Sequence, residues 1–253
     1  VNLSGVNSIN WARILVQIIY YFSAFYQMKV ISGEKVSFCV PTGNFGDAYA
    51  GYLAKKMGLP INKIIVATNE NDILDRVFKT GIYKSDQVSQ TLSPSMDIQV
   101  ASNFERLLFD LLNKDSNKVC KLMNNLAKKG GFNVDKKIIK QILKDFDSGS
   151  VTDKGTVTTI DHFYHSKDVI LCPHSAIGVR VAQDFVNAGE TVISLGTAHP
   201  AKFKETVESA LDISIPVPLA LEDVTKKKEN VKVISPDKRL VAEEIRSSKF
   251  TSY

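Results

Sequence analysis

Cysteine is scarce in this chain: there are three, Cys39, Cys120 and Cys172, far apart and beside apolar residues. No pair has metal or redox spacing, and an odd count argues against a disulfide framework. The expectation is reduced, buried thiols in a protein of cytoplasmic type. A long hydrophobic run is missing too. The most apolar stretch, residues 14–26, is interrupted by Gln17 and Ser23 and is too short to span a bilayer. Arg13 precedes it, but no small-residue cleavage site follows, so a signal peptide and a membrane partner are not expected. Nor does charge of one sign accumulate. Lys and Arg number 32 against 27 Asp and Glu, a net +5, interspersed except at Lys226-Lys227-Lys228. A nucleic-acid binder gathers its basic residues on one face with aromatic neighbours, so no nucleic-acid partner is expected. Internal repeats, low-complexity linkers, a Gly-x-Gly-x-x-Gly turn, a Gly-Lys-Ser/Thr phosphate loop and a Gly-x-Ser-x-Gly elbow are all absent.

What is present is enough apolar sequence, 44% hydrophobic against 23% charged, to fill a sizeable core. Three regions separate by pattern. In the first, residues 1–101, helical runs at 8–29, 47–57 and 71–80 alternate with strand-like runs at 35–40 and 63–68. Strands and helices alternating at this spacing point to a parallel sheet covered on both faces. In the second, 102–166, the strand signals fade. Phe104, Leu107, Leu108, Leu111 and Leu112 fall at helical spacing, as do Ile138, Ile139, Ile142 and Leu143. Gly130-Gly131 and Asp147-Ser148-Gly149-Ser150 read as punctuation. In the third, 167–253, strands at 169–171 and 191–195 alternate with helices at 176–186 and 201–211. The fold class is α/β with a helical insertion.

The most informative turn is Pro41-Thr42-Gly43-Asn44-Phe45-Gly46-Asp47, between a strand and a helix. Two glycines let the backbone turn tightly and approach a ligand, and the unpaired first amides of a helix favour a phosphate. The alternative is an ordinary turn with Asp47 or Asn44 as a helix cap. Leu195-Gly196-Thr197-Ala198-His199-Pro200 is a second strand-to-helix turn, in which Thr197 offers a hydroxyl and His199 an imidazole, or each is merely structural. In a parallel sheet both turns face the crevice beyond the carboxyl ends of the strands. Pro173-His174-Ser175 stands at the end of a further expected strand, where His174 or Ser175 suits a helix cap. Asn7, Ser8, Asn10 and Arg13, ahead of the first helix, suit an anion or, equally, a cap and a surface pair. His162 and His165 lack a third ligand at recognised spacing, so no metal site is expected.

Taken in order, Asn7-Ser-Ile-Asn-Trp-Ala-Arg13, the turn 41–47 with the following residues 52–60, Ser93-Pro-Ser-Met-Asp97 through Arg106, Pro173-His-Ser-Ala-Ile-Gly178 and Leu195-Gly-Thr-Ala-His-Pro200 through Lys204 resemble the threonine synthase family. These stretches cover nearly the whole chain, with the helical middle least diagnostic. The resemblance implies a portion of a fold type II, tryptophan synthase β-like enzyme that uses pyridoxal 5'-phosphate. It also implies conversion of O-phospho-L-homoserine and water to L-threonine and phosphate, a step of threonine biosynthesis. Carried over, Gly43, Asn44, Phe45, Gly46 and Asp47 would surround the cofactor, and Thr197 would hydrogen-bond its pyridine nitrogen. A hydroxyl there, rather than a carboxylate, leaves that nitrogen less firmly protonated. Ser8, Asn10 and Arg13 are the candidates for the substrate phosphate.

The family's Schiff-base lysine has no counterpart in these 253 residues and is expected upstream of Val1. Lys204 in Phe203-Lys204-Glu205 and Lys79 do not match it. The chain is therefore expected to be a carboxyl-terminal portion, inactive and poorly folded alone. Two further readings remain open: a related phospho-lyase that makes no threonine, and a non-catalytic product that binds phosphate or another subunit.

Overall fold

The computed structural model describes residues 5, 7–28, 34–229 and 231–247. Helix α1 spans Trp11–Gln27, and the Asn10 side chain caps it by accepting from the Ala12 N–H at 2.9 Å. Strand β1, Val36–Pro41, leads through the Gly-rich turn into α2, Gly46–Lys56. Strand β2, Ile61–Thr68, is followed by α3, Ile73–Thr80, and the short β3, Ile82–Lys84. Then come α4 (Phe104–Leu111), α5 (Ser116–Lys129), β4 (Gly131–Asn133), α6 (Lys136–Asp145), β5 (Phe146–Ser150) and α7 (Asp153–Lys167). Helix α8, Pro173–Asn187, precedes β6, Val192–Ser194, and α9, Lys204–Leu211. One compact unit extends to Ile215, and a second begins at Pro216. In the second unit lie α10, Leu219–Thr225, and α11, Lys238–Ser247. Among the described residues no helix is long and apolar enough to cross a membrane.

The main sheet has the order β5-β2-β1-β6, with each neighbouring pair parallel. Every residue of β1 is buried, as a strand covered on both faces must be. The alternation of side chains divides the core. Phe38, Val40, Ile64 and Val66 pack with α1, α2 and α3 on one face, while Cys39, Ile65 and Ala67 meet Ile177 and Val181 of α8 on the other. A third cluster joins Ile160 of α7, Ala176 of α8, and Val207 and Leu211 of α9. Helix α1 rests on α2 where Gly51 removes a side chain: a Cβ there would stand 2.6 Å from the Tyr21 ring.

The structure departs from the sequence reading in three places. Residues 147–150, read as punctuation, form most of β5, because the main chain of β2 supplies a ladder partner and Phe146 anchors the strand in the core. Gly149 also fits closely there, since a Cβ would meet Val181 at 2.9 Å. Residues 169–171, read as a strand, have no ladder partner among the described residues and run as an irregular segment into α8. Of the cysteines, Cys39 and Cys172 are buried, whereas Cys120 is exposed on α5, a helix that presents no fully buried residue.

Candidate functional site

Beyond the carboxyl ends of β1 and β6 lies a cleft of about 480 Å³. The turn after β1 contributes residues 41–47, the turn after β6 contributes Leu195, Gly196 and Thr197, and Ser95 closes one side. Ser8, Arg13, Gln17 and Tyr20, from the start of α1, close another. The structure thus brings together Gly43, Asn44, Phe45, Gly46, Asp47, Thr197, Ser8 and Arg13. Asn10 is not among the lining residues, because its side chain caps α1. Ser8, whose hydroxyl lies 3.4 Å from that of Ser102, does not serve as the cap.

The geometry of the turn follows from Phe45, which has a left-handed φ of 63° just before α2. That conformation costs a non-glycine residue roughly 1–2 kcal/mol. Burial of a phenylalanine ring returns about 1.5–3 kcal/mol. The ring lies among Phe104 and Phe146, each at 5.6 Å between centroids, and Phe78 at 6.4 Å. The side chain of Phe45 is therefore core, and its main chain lines the cleft. With the ring pulled inward, the amides of residues 43–48 are left without acceptors among the described residues, as expected of a helix start. Gly43 is needed where the turn passes the 93–96 segment, since a Cβ would meet the Ser95 carbonyl at 3.0 Å.

Asp47 sits in the first turn of α2, partly buried, and its Oδ1 is a buried oxygen without a hydrogen-bond partner. Burial pushes its carboxyl up to about 6. The Tyr21 hydroxyl donates to the main-chain oxygen of Asp47 at 2.7 Å, which ties this turn to α1.

Two residues that the sequence reading quoted without a role hold the cleft together. Asn103 is fully buried and donates from Nδ2 to the carbonyls of Ser8, at 3.0 Å, and Asn44, at 3.1 Å. Its amide N–H also donates to Asn44, and Arg106 in turn donates to its Oδ1 at 2.9 Å. A polar residue ahead of the periodic α4 reads as a cap, yet Asn103 makes no side-chain cap bond. It latches two cleft segments instead. Asp97 performs a similar task for residues 91–97: its carboxylate accepts from Asn69 at 2.7 Å, Asn71 at 3.1 Å, and the hydroxyl and amide of Thr91.

Beneath the exposed Thr197 lies a polar cluster from the start of α8. Ser175 Oγ accepts from the Thr197 N–H at 3.1 Å and stands 3.2 Å from its Oγ1. Cys172 Sγ lies 3.2 Å from Ser175 Oγ and 3.5 Å from Thr197 Oγ1. His174 Nε2 accepts from the Ser95 N–H at 3.2 Å, so this buried imidazole braces the cleft wall. His199 caps the short turn after Thr197 by accepting from the Ala201 N–H. His162 lies on α7, as does His165, which pairs with Asp161; among the described residues no group of acids, histidines and cysteines could hold a metal. Among the described residues no lysine lines the cleft: Lys204 pairs with Glu208 and Lys79 with Asp75.

A parallel α/β sheet with a phosphate-suited turn and a hydroxyl-bearing turn at the same end is compatible with the tryptophan synthase β-like, fold type II class, and likeness to solved threonine synthase structures assigns the fold to it. Residues 175–245 match the family model described as "Threonine synthase, C-terminal". The chain is 50% identical to threonine synthase of Saccharomyces cerevisiae over 229 residues, which is 83% of this chain and 45% of that protein. It is 46% identical to threonine synthase of Pseudomonas aeruginosa over 234 residues, covering 92% of this chain and 50% of that one. The crystal structure of a threonine synthase of Brucella melitensis, described as bound to PLP, superposes with a TM-score of 0.89 at 46% identity. That match covers 96% of this chain and 52% of the other. The chain spans about half the length of the curated relatives it matches. By sequence and by fold it is related to the threonine synthases, and residues 175–245 resemble their carboxyl-terminal region.

Proposed function

We propose that the natural gene product is a pyridoxal-phosphate-dependent threonine synthase of the cytoplasm, acting on O-phospho-L-homoserine and water to give L-threonine and phosphate. This chain would supply its cofactor cradle. The observation that carries the reading is the convergence of the amide-rich turn at 43–47 and the Thr197 hydroxyl on one cleft. The residues present fit the cofactor. Free amides at the positive end of α2 suit a phosphate dianion, and the orphaned Asp47 Oδ1 calls for a polar partner. With its carboxyl already pushed up to about 6, Asp47 would be driven further toward its protonated, hydrogen-bond-donating form by a phosphate beside it. Across the cleft, Thr197 would hydrogen-bond the ring nitrogen. When bound, the cofactor supplies an electron sink for the proton removals that expel phosphate and admit water.

Ser8 and Arg13 stand where the substrate phosphate would lie, with Asn10 supporting them through the cap of α1 rather than by contact. A guanidinium recognises a phosphate through paired, charge-assisted hydrogen bonds. The Schiff-base lysine is placed outside these residues. Borohydride reduction of the natural gene product, digestion and mass spectrometry test this. A pyridoxyl-lysine on a peptide absent from this sequence supports the reading, and a label on Lys204 or another lysine here requires the site to be redrawn. Analysis of the products from O-phospho-L-homoserine separates threonine formation from simple elimination.

A further inference from the structure

Ser8 and Arg13, the candidates for the substrate phosphate, stand at the start of α1, and the start of α4 fastens that segment to the rest of the cleft. Asn103 donates to the Ser8 carbonyl, and Ser102 Oγ stands 3.4 Å from Ser8 Oγ. Arg106, in the first turn of α4, makes three contacts at once. Its Nε donates to Asn103 Oδ1 at 2.9 Å, and its Nη2 donates to the Ile9 carbonyl at 2.9 Å. Its guanidinium carbon lies 5.7 Å from the centroid of the Trp11 ring. Arg106 itself does not line the cleft.

These contacts fix two things together. A side-chain amide offers its oxygen on one side and its N–H donors on the other. With the guanidinium on the oxygen, the donor side of the buried Asn103 is the one that meets the carbonyls of Ser8 and Asn44. A reversed amide would set oxygen against both carbonyls and N–H against the guanidinium. The same guanidinium grips Ile9 and Trp11, which lie between Ser8 and Arg13 in the sequence. We propose, on the basis of the functional reading above, that Arg106 is a positioning residue for the substrate phosphate. It holds Ser8 and Arg13 at a set distance from the cofactor turn, through Asn103 on one side and the first turn of α1 on the other. Lysine is no substitute, because an ammonium is a point donor on a flexible stem and lacks the planar fork that serves Asn103, Ile9 and Trp11 at once. Arg106 acts through Ser8 and Arg13, so it bears on how tightly the phosphate is held and not on the proton transfers.

The test uses the natural gene product loaded with cofactor. The wild type is compared with Arg106→Met, which keeps an apolar stem without donors, and Arg106→Lys, which keeps the charge without the fork. Arg180→Met, on the exposed surface of α8, is the control. Two quantities are read: KM and kcat with O-phospho-L-homoserine, and the Kd for inorganic phosphate by calorimetry. Both Arg106 variants should raise KM and weaken phosphate binding about tenfold, as the loss of one charge-assisted hydrogen bond predicts. In both, kcat should stay within about threefold of the wild type, the mark of lost binding and not of lost chemistry. Unchanged KM and phosphate affinity in Arg106→Met overturn the inference and leave the functional reading intact. Full affinity in Arg106→Lys overturns it too, since charge alone would then suffice. A fall in kcat and cofactor content at unchanged KM assigns Arg106 to general stability and also overturns it. A wild-type protein that releases no phosphate from O-phospho-L-homoserine defeats the functional reading and the inference with it. If circular dichroism shows that Arg106→Met does not fold, Arg106→Lys decides alone.

Discussion

Asp47 is the residue whose environment departs furthest from what its place in the sequence suggests. An aspartate in the first turn of a helix is ordinarily stabilised as an anion. Here burial raises the carboxyl from 3.8 to about 6, so the folded state holds a proton that the unfolded chain has released. A raised carboxyl makes stability fall as pH rises between about 4 and 6. The contribution is at most about 3 kcal/mol, from roughly two pH units at 1.4 kcal/mol each. Urea unfolding of the natural gene product should therefore show a decline over this window that Asp47→Asn removes. An identical slope in both proteins would mean that the oxygen is solvated. The neighbouring Phe45 illustrates what the sequence could and could not say. Its place in a ligand-suited turn was readable, but its ring points into the core because Phe78, Phe104 and Phe146 converge there from distant parts of the chain.

At the level of elements, two contacts decide how the cleft is walled. Helix α1 reaches its position because Gly51 of α2 leaves room for the buried Tyr21 ring. Alanine at 51 gains up to about 1 kcal/mol of helix propensity. It also forces a Cβ to 2.6 Å from that ring, and overpacking of this kind costs about 1–3 kcal/mol. The clash wins, so Gly51→Ala should lower the urea midpoint and loosen the α1 side of the cleft. Asn103 is the second contact. Asn103→Ala strands the carbonyl of Ser8, while that of Asn44 keeps the main-chain N–H of residue 103, at about 1–3 kcal/mol of stability, and should weaken cofactor binding in a titration more than a surface substitution on α4 does. Equal cofactor affinity in Asn103→Ala and the surface control would show that the turn holds its shape unaided. Helical spacing and caps made α1, α2 and α4 readable in outline. The role of Asn103 was hidden, because its partners lie 95 and 59 positions away.

For the whole chain, the notable surface is the outer face of α1, where Leu15, Val16 and Ile19 are exposed at 54%, 50% and 60%. A contiguous apolar face of this kind drives association when left open to water. The 253-residue chain produced alone should self-associate in analytical ultracentrifugation, and lysine or glutamate at these three positions should shift it toward monomer. A monomeric wild-type chain at high concentration would show that this face does not drive association. The relatives, about twice as long, share this fold across nearly all of the chain.

Local chemistry by itself determined the α/β class, the two turns that line the cleft and the membership of most helices, because hydrophobic period, glycine placement and helix-start signals act over a few residues. Tertiary structure alone decided that residues 146–150 pair as a strand, that 169–171 do not, and that Asn10 turns to its own helix. It also assembled Cys172, Ser175 and Thr197 beneath the cleft. Each of these depends on a partner brought close by the parallel sheet, and the energy of a hydrogen bond or buried ring is fixed by that partner and not by sequence neighbours.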